Sequence, residues 1–475
     1  MILLLALLGV PAVAAAVAFA HRSPGARAAW LGLAASAHAA LSLGAWIAPP
    51  PPILGGWLAL DALGRVALTT VSAVFLVVAW YAVGYLRRVH PRGGRAFASC
   101  LLGFLAAATL VTLSHHFALL WVGLEGTTLA VAPLIFHRHD RRSLEAVWKY
   151  LVISSVGIAL ALLGVFFLAS AQAGDLGARP LVLEDLVSGA RALQPAWLKA
   201  AFIFLLVGFG TKMGLAPMHT WKPDTYGEAP SLVGGLMAGA LTTCAFLGLV
   251  RITQVAVAGG IAPFIQPLLI VFGLLSIVVA AAFLVGQTDL RRLLAYSSVE
   301  HMGLLSLGLG LGGVGAYGAM LHMVNNALVK GLMFLAVGNV LLAAGDGAAP
   351  TTGALRRTPA SGVLLLVGLF AVTGSPPFGP FLSQFAIVTA AFQGGHYAVA
   401  LALLVLLAVI FVSLGARILD AVYAPGPAAP VRESRWLVAG PAVLGLAVLG
   451  LGVFIPPPLF EALAEGARAL GGWAP

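Results

Sequence analysis

Apolar runs of about 20 residues, each long enough to cross a hydrocarbon core of roughly 30 Å, recur along the whole chain. They fall near 2–20, 28–48, 61–86, 97–115, 118–136, 147–171, 197–219, 229–250, 263–286, 291–312, 316–344, 361–390, 397–415 and 436–458. Lipid offers no water to an open strand edge, so helices are the expected spanning element. The short alternating segments of a membrane barrel are absent from the pattern. It therefore predicts an all-α polytopic membrane protein with about 14 transmembrane helices. The first run is apolar from its start and lacks a basic leader, so it is expected to stay as a helix.

Two runs are interrupted. The seventh leads into GLAPMHTWKPDTYGEAP, with Pro217 and Pro223, and the twelfth contains VTGSPPFGPFLSQF, with Pro376, Pro377 and Pro380. Proline removes a backbone donor and clashes with the preceding turn. Such breaks are tolerated in a membrane where they are buried or line a wet cavity. They stand five spans apart, and an odd offset implies two five-helix repeats of opposite orientation, as in transporters with broken helices at the functional site. The expected division is an N-terminal three-helix segment at 1–96, one repeat at 97–250, the second at 262–420, and a C-terminal helix at 436–475.

Composition sharpens this reading. Hydrophobic residues make up 61% of the chain and charged ones 9%, against about 25% charged in a soluble domain. A water-facing surface cannot be covered with so few charges, which excludes a soluble enzyme. The net charge of +10 comes from scattered residues rather than a phosphate-tracking groove, so nucleic acid is not an expected partner. Loop charge supplies the topology instead. The loops after odd-numbered spans hold 18 of the 26 Lys and Arg, Lys222 among them, and the opposite loops hold five, including Arg179 and Arg251. By the positive-inside rule both termini are non-cytoplasmic, in a bacterial cytoplasmic membrane. The segment 181–195 is expected to lie as a short helix on the outer surface.

Against so apolar a background, ionisable residues inside spans ask for explanation, because a mid-bilayer charge costs about 2.5–3.5 kcal/mol on insertion scales. Glu125 in the fifth span and Lys212 in the seventh are expected to form a buried carboxylate–ammonium pair, either as a proton switch or as a static structural pair. His322, Asn326 and Lys330, spaced i, i+4, i+8, share one face of the eleventh span as a polar stripe about 12 Å long. Ser297, Ser298, Glu300 and His301 suggest a hydrated approach from the cytoplasmic side. Lys149 fits interfacial anchoring and proton access equally. His115 and His116 are expected at the outer surface, and Arg65 beside Asp61 as its partner. Asp289, Arg291 and Arg292 look like an ordinary helix start.

The chain has no Walker A sequence, no metal-ligand spacing and no hydrolase triad. Cys100 and Cys244 are its only cysteines, and two thiols cannot ligate an iron–sulfur cluster. No cofactor is expected in this chain. Proton or cation movement is the chemistry that remains.

GTKMGLAPMHTW…PD…EAPS, QTDLRRLLAYSSVEHMG and HMVNNALVKGLMFLAVGN resemble the antiporter-like membrane subunits of respiratory complex I and its relatives. The nearest likeness is to the large membrane subunit of formate hydrogenlyase-type energy-converting nickel–iron hydrogenases. The resemblance covers roughly residues 95–395 and implies 14 helices with inverted five-helix repeats. It implies a mid-membrane proton path through Glu125, Lys212, His322 and Lys330, driven by redox chemistry in a separate peripheral arm. Three positions depart from that pattern: Thr243 stands where many members have lysine, Asn326 where some have histidine, and Gln384 where the twelfth helix usually carries Glu or Lys. The expected function is proton translocation as a subunit of a redox-driven complex, with other membrane subunits and a peripheral redox arm as partners. The alternatives are a subunit of a multi-subunit cation/proton antiporter or of an inorganic-carbon uptake system, and a non-conducting scaffold, which Gln384 supports.

Overall fold

A computed structural model describes residues 1–88, 94–172, 180–345, 352–426 and 430–471. Arg92 and Arg179 of the charge tally lie outside them. The spans, in chain order, are α1 (Ile2–Ala20), α2 (Pro24–Ile47), α3 (Ala62–Leu86), α4 (Gly94–Leu113), α5 (Phe117–Ile135), α6 (Arg141–Ala171), α7 (Pro195–Met213), α8 (Ser231–Ala258), α9 (Ala262–Leu284), α10 (Leu290–Leu311), α11 (Gly313–Ala344), α12 (Pro359–Val372 and Gly379–Gln393), α13 (Tyr397–Tyr423) and α14 (Arg435–Val453). Each of the fourteen apolar runs thus has its helix. Twelve of these helices are individually long and apolar enough to cross a membrane. The other two are α10, rich in polar residues, and α12, split by its prolines. A last amphipathic helix, α15 (Pro457–Arg468), packs on α3 and α11.

The two breaks are built alike. α7 stops at Met213, where Gly214 adopts a left-handed φ of 75°, and the chain resumes as the short helix Trp221–Glu228. α12 stops at Val372, passes Gly374 at φ 69°, and resumes at Gly379 with Pro380 in its first turn. Each break holds one cis peptide bond, Ala216–Pro217 and Pro376–Pro377.

Small residues let the backbones of the inner helices approach, as membrane interfaces require. A Cβ on Gly208 of α7 would lie 2.5 Å from Ala161 Cβ on α6. One on Gly273 of α9 would lie 2.7 Å from the Leu307 amide of α10. Central α8, α10 and α11 are buried along almost their whole length, whereas the rim helices expose Leu5, Val122, Phe166, Leu401 and Val412. Apolar side chains facing outward are what a lipid solvent selects.

The surface expected to face outward corrects three expectations. His115 and His116 are buried rather than surface residues. Arg251, placed in an outer loop from the sequence, is a fully buried residue of α8 that grips Asp61 with two bonds of 2.6 Å. Asp61 therefore does not pair with Arg65, whose guanidinium lies over the Trp46 ring at 5.1 Å. The cause is the segment 180–193, where the short helix Leu183–Ser188 folds back over these groups: the Leu183 amide donates to His115 O, and Phe117 N donates to Leu181 O. His115 Nδ1 meets Glu184 Oε1 at 2.6 Å and its Nε2 lies 3.6 Å from Asp61. Burial raises the Asp61 carboxyl, but Arg251 and His115 outweigh it and hold it well below the ordinary 3.8. Burial likewise opposes the His115 charge, yet its bonds to Asp61 and Glu184 lift it above the ordinary 6.5.

Candidate functional site

Tight packing of α6 on α7 brings Tyr150 and Lys212 together. Lys212, fully buried at the end of α7, donates to the Thr128 hydroxyl on α5 and, at 3.2 Å, to the Tyr150 hydroxyl, with its ammonium over the Tyr150 ring at 5.2 Å. Thr128 in turn donates to Glu125 Oε2 at 3.0 Å, one helical turn back on α5. The expected pair is therefore indirect: a hydroxyl stands between carboxylate and ammonium. Glu125 is only half-buried, on the α5 face shared with exposed Val122 and Leu129.

A second set of the same composition occupies the other half of the chain. Lys330, fully buried on α11, donates to Ser297 Oγ at 2.7 Å, and Ser297 donates to Glu300 Oε2 at 3.4 Å. Here the hydroxyl precedes the carboxylate by one turn of α10. Glu300 is 1% exposed. The group expected as a hydrated approach is thus deep in the interior, with Ser297, Ser298, Glu300 and His301 all buried.

The stripe on α11 is buried as well, but its members bond outward to other helices and not to one another. Asn326 donates to Ala238 O at 3.2 Å, in the π-turn Met237–Leu241 that interrupts α8. Such a turn breaks the regular ladder and frees a carbonyl. His322 stacks on His301 at 4.9 Å between ring centres, with His301 Nδ1 2.7 Å from His322 Nε2. His322 Nδ1 lies 2.8 Å from Ser383 Oγ, and Ser383 donates to Pro380 O at 3.0 Å, in the α12 break. This network assigns the tautomers. Ser383 spends its proton on Pro380, so His322 donates from Nδ1. His322 Nε2 then accepts from His301 Nδ1. That leaves His301 Nε2 without a hydrogen-bond partner among the described residues, 4.0 Å from Glu300 Oε2. Gln384 sits one residue beyond Ser383. Its side chain lies over Gly374, where a Cβ would collide with it, and its Nε2 is buried without a partner among the described residues.

Lys149 lies at the opposite, expected cytoplasmic, surface. It bonds Asp224 at 2.7 Å and Glu145 at 2.8 Å, and Arg292 bonds Asp224 at 3.1 Å. These residues, with Arg142 and Glu228, line an open cavity of about 330 Å³. One residue there defeats the sequence reading. Lys222, counted as a loop charge, is fully buried and donates to Ser298 Oγ at 2.9 Å. The short helix after the α7 break turns it inward, and Gly214 makes room for its stem: a Cβ there would collide with Lys222 Cδ. Thr128 and Tyr150 were also missed, since a lone hydroxyl carries no signal until its helix neighbours are known. Among the described residues no group of three or more His, Cys, Asp or Glu converges as metal ligands would.

Comparison with known proteins places this arrangement. Residues 114–410 match the family described as NADH:quinone oxidoreductase/Mrp antiporter, transmembrane. Over 427 residues the chain is 31% identical to the hydrogenase-4 component F homolog of Methylacidiphilum infernorum, covering 86% of this chain and 88% of that protein. It is 28% identical to hydrogenase-4 component B of Escherichia coli over 73% of this chain and 52% of that protein, so it spans about half the length of that relative. A chain of respiratory complex I from Thermus thermophilus superposes with a TM-score of 0.78 at 27% identity, over 95% of this chain and 97% of that one. The protein is an antiporter-like membrane subunit belonging to the NADH:quinone oxidoreductase/Mrp antiporter family.

Proposed function

We propose that the chain translocates protons across a bacterial cytoplasmic membrane, with both termini outside, as one subunit of a larger redox-driven complex. The observation that carries this reading is the pair of lysine–hydroxyl–carboxylate sets built on buried lysines, Lys212–Thr128–Glu125 and Lys330–Ser297–Glu300. Charge is expensive in this interior, and a directly bonded ion pair would be static. A hydroxyl between the two groups lets each change protonation while the other keeps a hydrogen-bond partner, because a hydroxyl both donates and accepts.

Each set belongs to one five-helix repeat, residues 97–250 and 262–420, and the breaks of α7 and α12 mark equivalent places in the two. From the second set a proton continues by exchange. His301 accepts at Nε2 and releases from Nδ1 to His322 Nε2, and His322 releases from Nδ1 to Ser383 as Ser383 turns its own hydroxyl proton from Pro380 O to water in the α12 break. Every bond made at one nitrogen is matched by one broken at the other, so no charge accumulates on either ring. Gln384 does not titrate, so in this reading the chain's exit runs past it through water in the α12 break. The family's redox reaction is carried by partner subunits, which supply the driving force.

The test is the assembled complex, purified with its own partners and reconstituted in vesicles. Lys212→Met, with the complex still assembled, loses at least nine-tenths of proton flux into the lumen. Unchanged flux overturns the reading. Running the assay with and without sodium separates a proton pump from a cation/proton antiporter.

A further inference from the structure

Lys222 has no part in either set, yet it is as deeply buried as Lys212 and Lys330. It has one hydrogen-bond acceptor, Ser298, and no carboxylate within ion-pair distance among the described residues. A cation kept only for packing ordinarily comes with a counter-charge, because an unpaired buried charge is strongly destabilising. Its position gives another reason for keeping it. On the helix Trp221–Glu228, Lys222 and Asp224 are two residues apart, so they point in nearly opposite directions, about 200° around the axis. Asp224 faces the charged cavity beside Lys149 and Arg292. Lys222 faces α10, where Ser298 adjoins Ser297, the hydroxyl between Lys330 and Glu300. Arg292 on the cavity wall and Ser298 are six residues apart on the same helix, roughly 9 Å along its axis. Thr225, on the same short helix, buries a hydroxyl with no partner among the described residues, a group that water can satisfy.

We infer that Lys222 is the proton-loading residue of the second set: it takes a proton from the charged cavity lined by Lys149, Asp224 and Arg292 and passes it inward past Ser298 toward Glu300. The inference rests on the proton-translocation reading above. The step balances without a co-reactant. Protonation at the cavity turns the Lys222 amine into ammonium, and transfer to the Glu300 carboxylate leaves a neutral amine and a neutral acid. The aliphatic stem packs against Gly214 and carries the ammonium to Ser298, one residue from the hydroxyl of the second set.

Reconstituted complexes carrying Lys222→Met, Lys222→Arg and Lys212→Met test it side by side. A lysine that carries protons is replaced by neither variant, because methionine holds no proton and arginine does not release one in proteins. Both are expected to lose at least tenfold in proton flux while co-purifying with their partners. Arginine would serve a cation needed only for its charge, so near-normal flux in Lys222→Arg overturns the inference, as does near-normal flux in Lys222→Met. If neither variant assembles, Ser298→Ala decides, since it removes only the acceptor: a drop of threefold or more supports the inference, and unchanged flux overturns it. Flux lost in Lys212→Met but kept in the Lys222 variants sinks this inference alone. Flux kept in Lys212→Met sinks the translocation reading itself.

Discussion

The two lysine–hydroxyl–carboxylate sets share chemistry but differ in exposure. In the first, Glu125 is half-buried on an α5 face that also exposes Val122 and Leu129. In the second, Glu300, Ser297 and Lys330 are all inside, and the carboxylate looks onto a bonded pair of imidazoles. The first set is therefore open to whatever covers that rim of the protein, whereas every member of the second is enclosed by the protein's own side chains. A third group makes the contrast sharper. Arg251 and Asp61 touch directly at 2.6 Å, with no intervening hydroxyl. Direct contact fixes an ion pair; a hydroxyl spacer leaves each partner a bond when the other changes charge.

The largest expected effect comes from the enclosed set. Lys330→Met should abolish proton flux in the reconstituted complex, because Lys330, Ser297 and Glu300 are all buried and the other two are left with no lysine to exchange with. Next come the spacers. Ser297→Ala leaves a buried ammonium short of its acceptor, a loss of about 1–3 kcal/mol, and should slow flux about tenfold or more. Thr128→Ala should cost clearly less, since Tyr150 still accepts from Lys212. Equal losses in the two variants would erase the distinction between the sets. The directly paired group should behave differently again: Arg251→Met should lower the thermal stability of the complex in detergent and leave flux per assembled complex within twofold.

The group of Asp61, His115, Glu184 and Arg251 also predicts a pH dependence of stability. The pKa of His115 is raised above 6.5, so its contribution is complete below 6.5 and is lost as pH rises through the higher folded value. Asp61 is lowered below 3.8, so its contribution is present above 3.8 and is lost only as pH falls beneath that. Melting curves on the alkaline side of 6.5 should flatten in His115→Gln, and an unaltered slope would count against the assignment. The smallest expected effect is at the α12 break: Gln384→Leu should leave flux within twofold, because an amide carries no proton. A large loss there would move the exit onto Gln384.

Much of this was legible in the sequence, for definite reasons. Long apolar runs have one solution in lipid, so every expected helix is present, and prolines at 217, 376 and 377 interrupt α7 and α12 where the pattern placed the breaks. Residues 212, 300 and 330 stood out because charge is so scarce. What could not be read was which way a side chain turns at an irregular joint. Lys222 follows a proline break, and Arg251 lies past the apolar part of α8; both were counted as loop charges, yet both are buried. The helical stripe on α11 was placed correctly on one face. Its bonds, however, depend on neighbours from α8, α10 and α12, which no local spacing reveals. Thr128 and Ser297 were invisible for the same reason: each matters only because a lysine from a distant helix arrives beside it.

The most direct measurement is proton flux into vesicles containing the purified complex, followed with a lumenal pH dye under a potassium–valinomycin potential, with assembly checked for each variant. The account predicts flux in the parent complex, its loss in both Lys212→Met and Lys330→Met, and a smaller loss in Thr128→Ala than in Ser297→Ala. Parent-level flux in either lysine variant at normal assembly would contradict it.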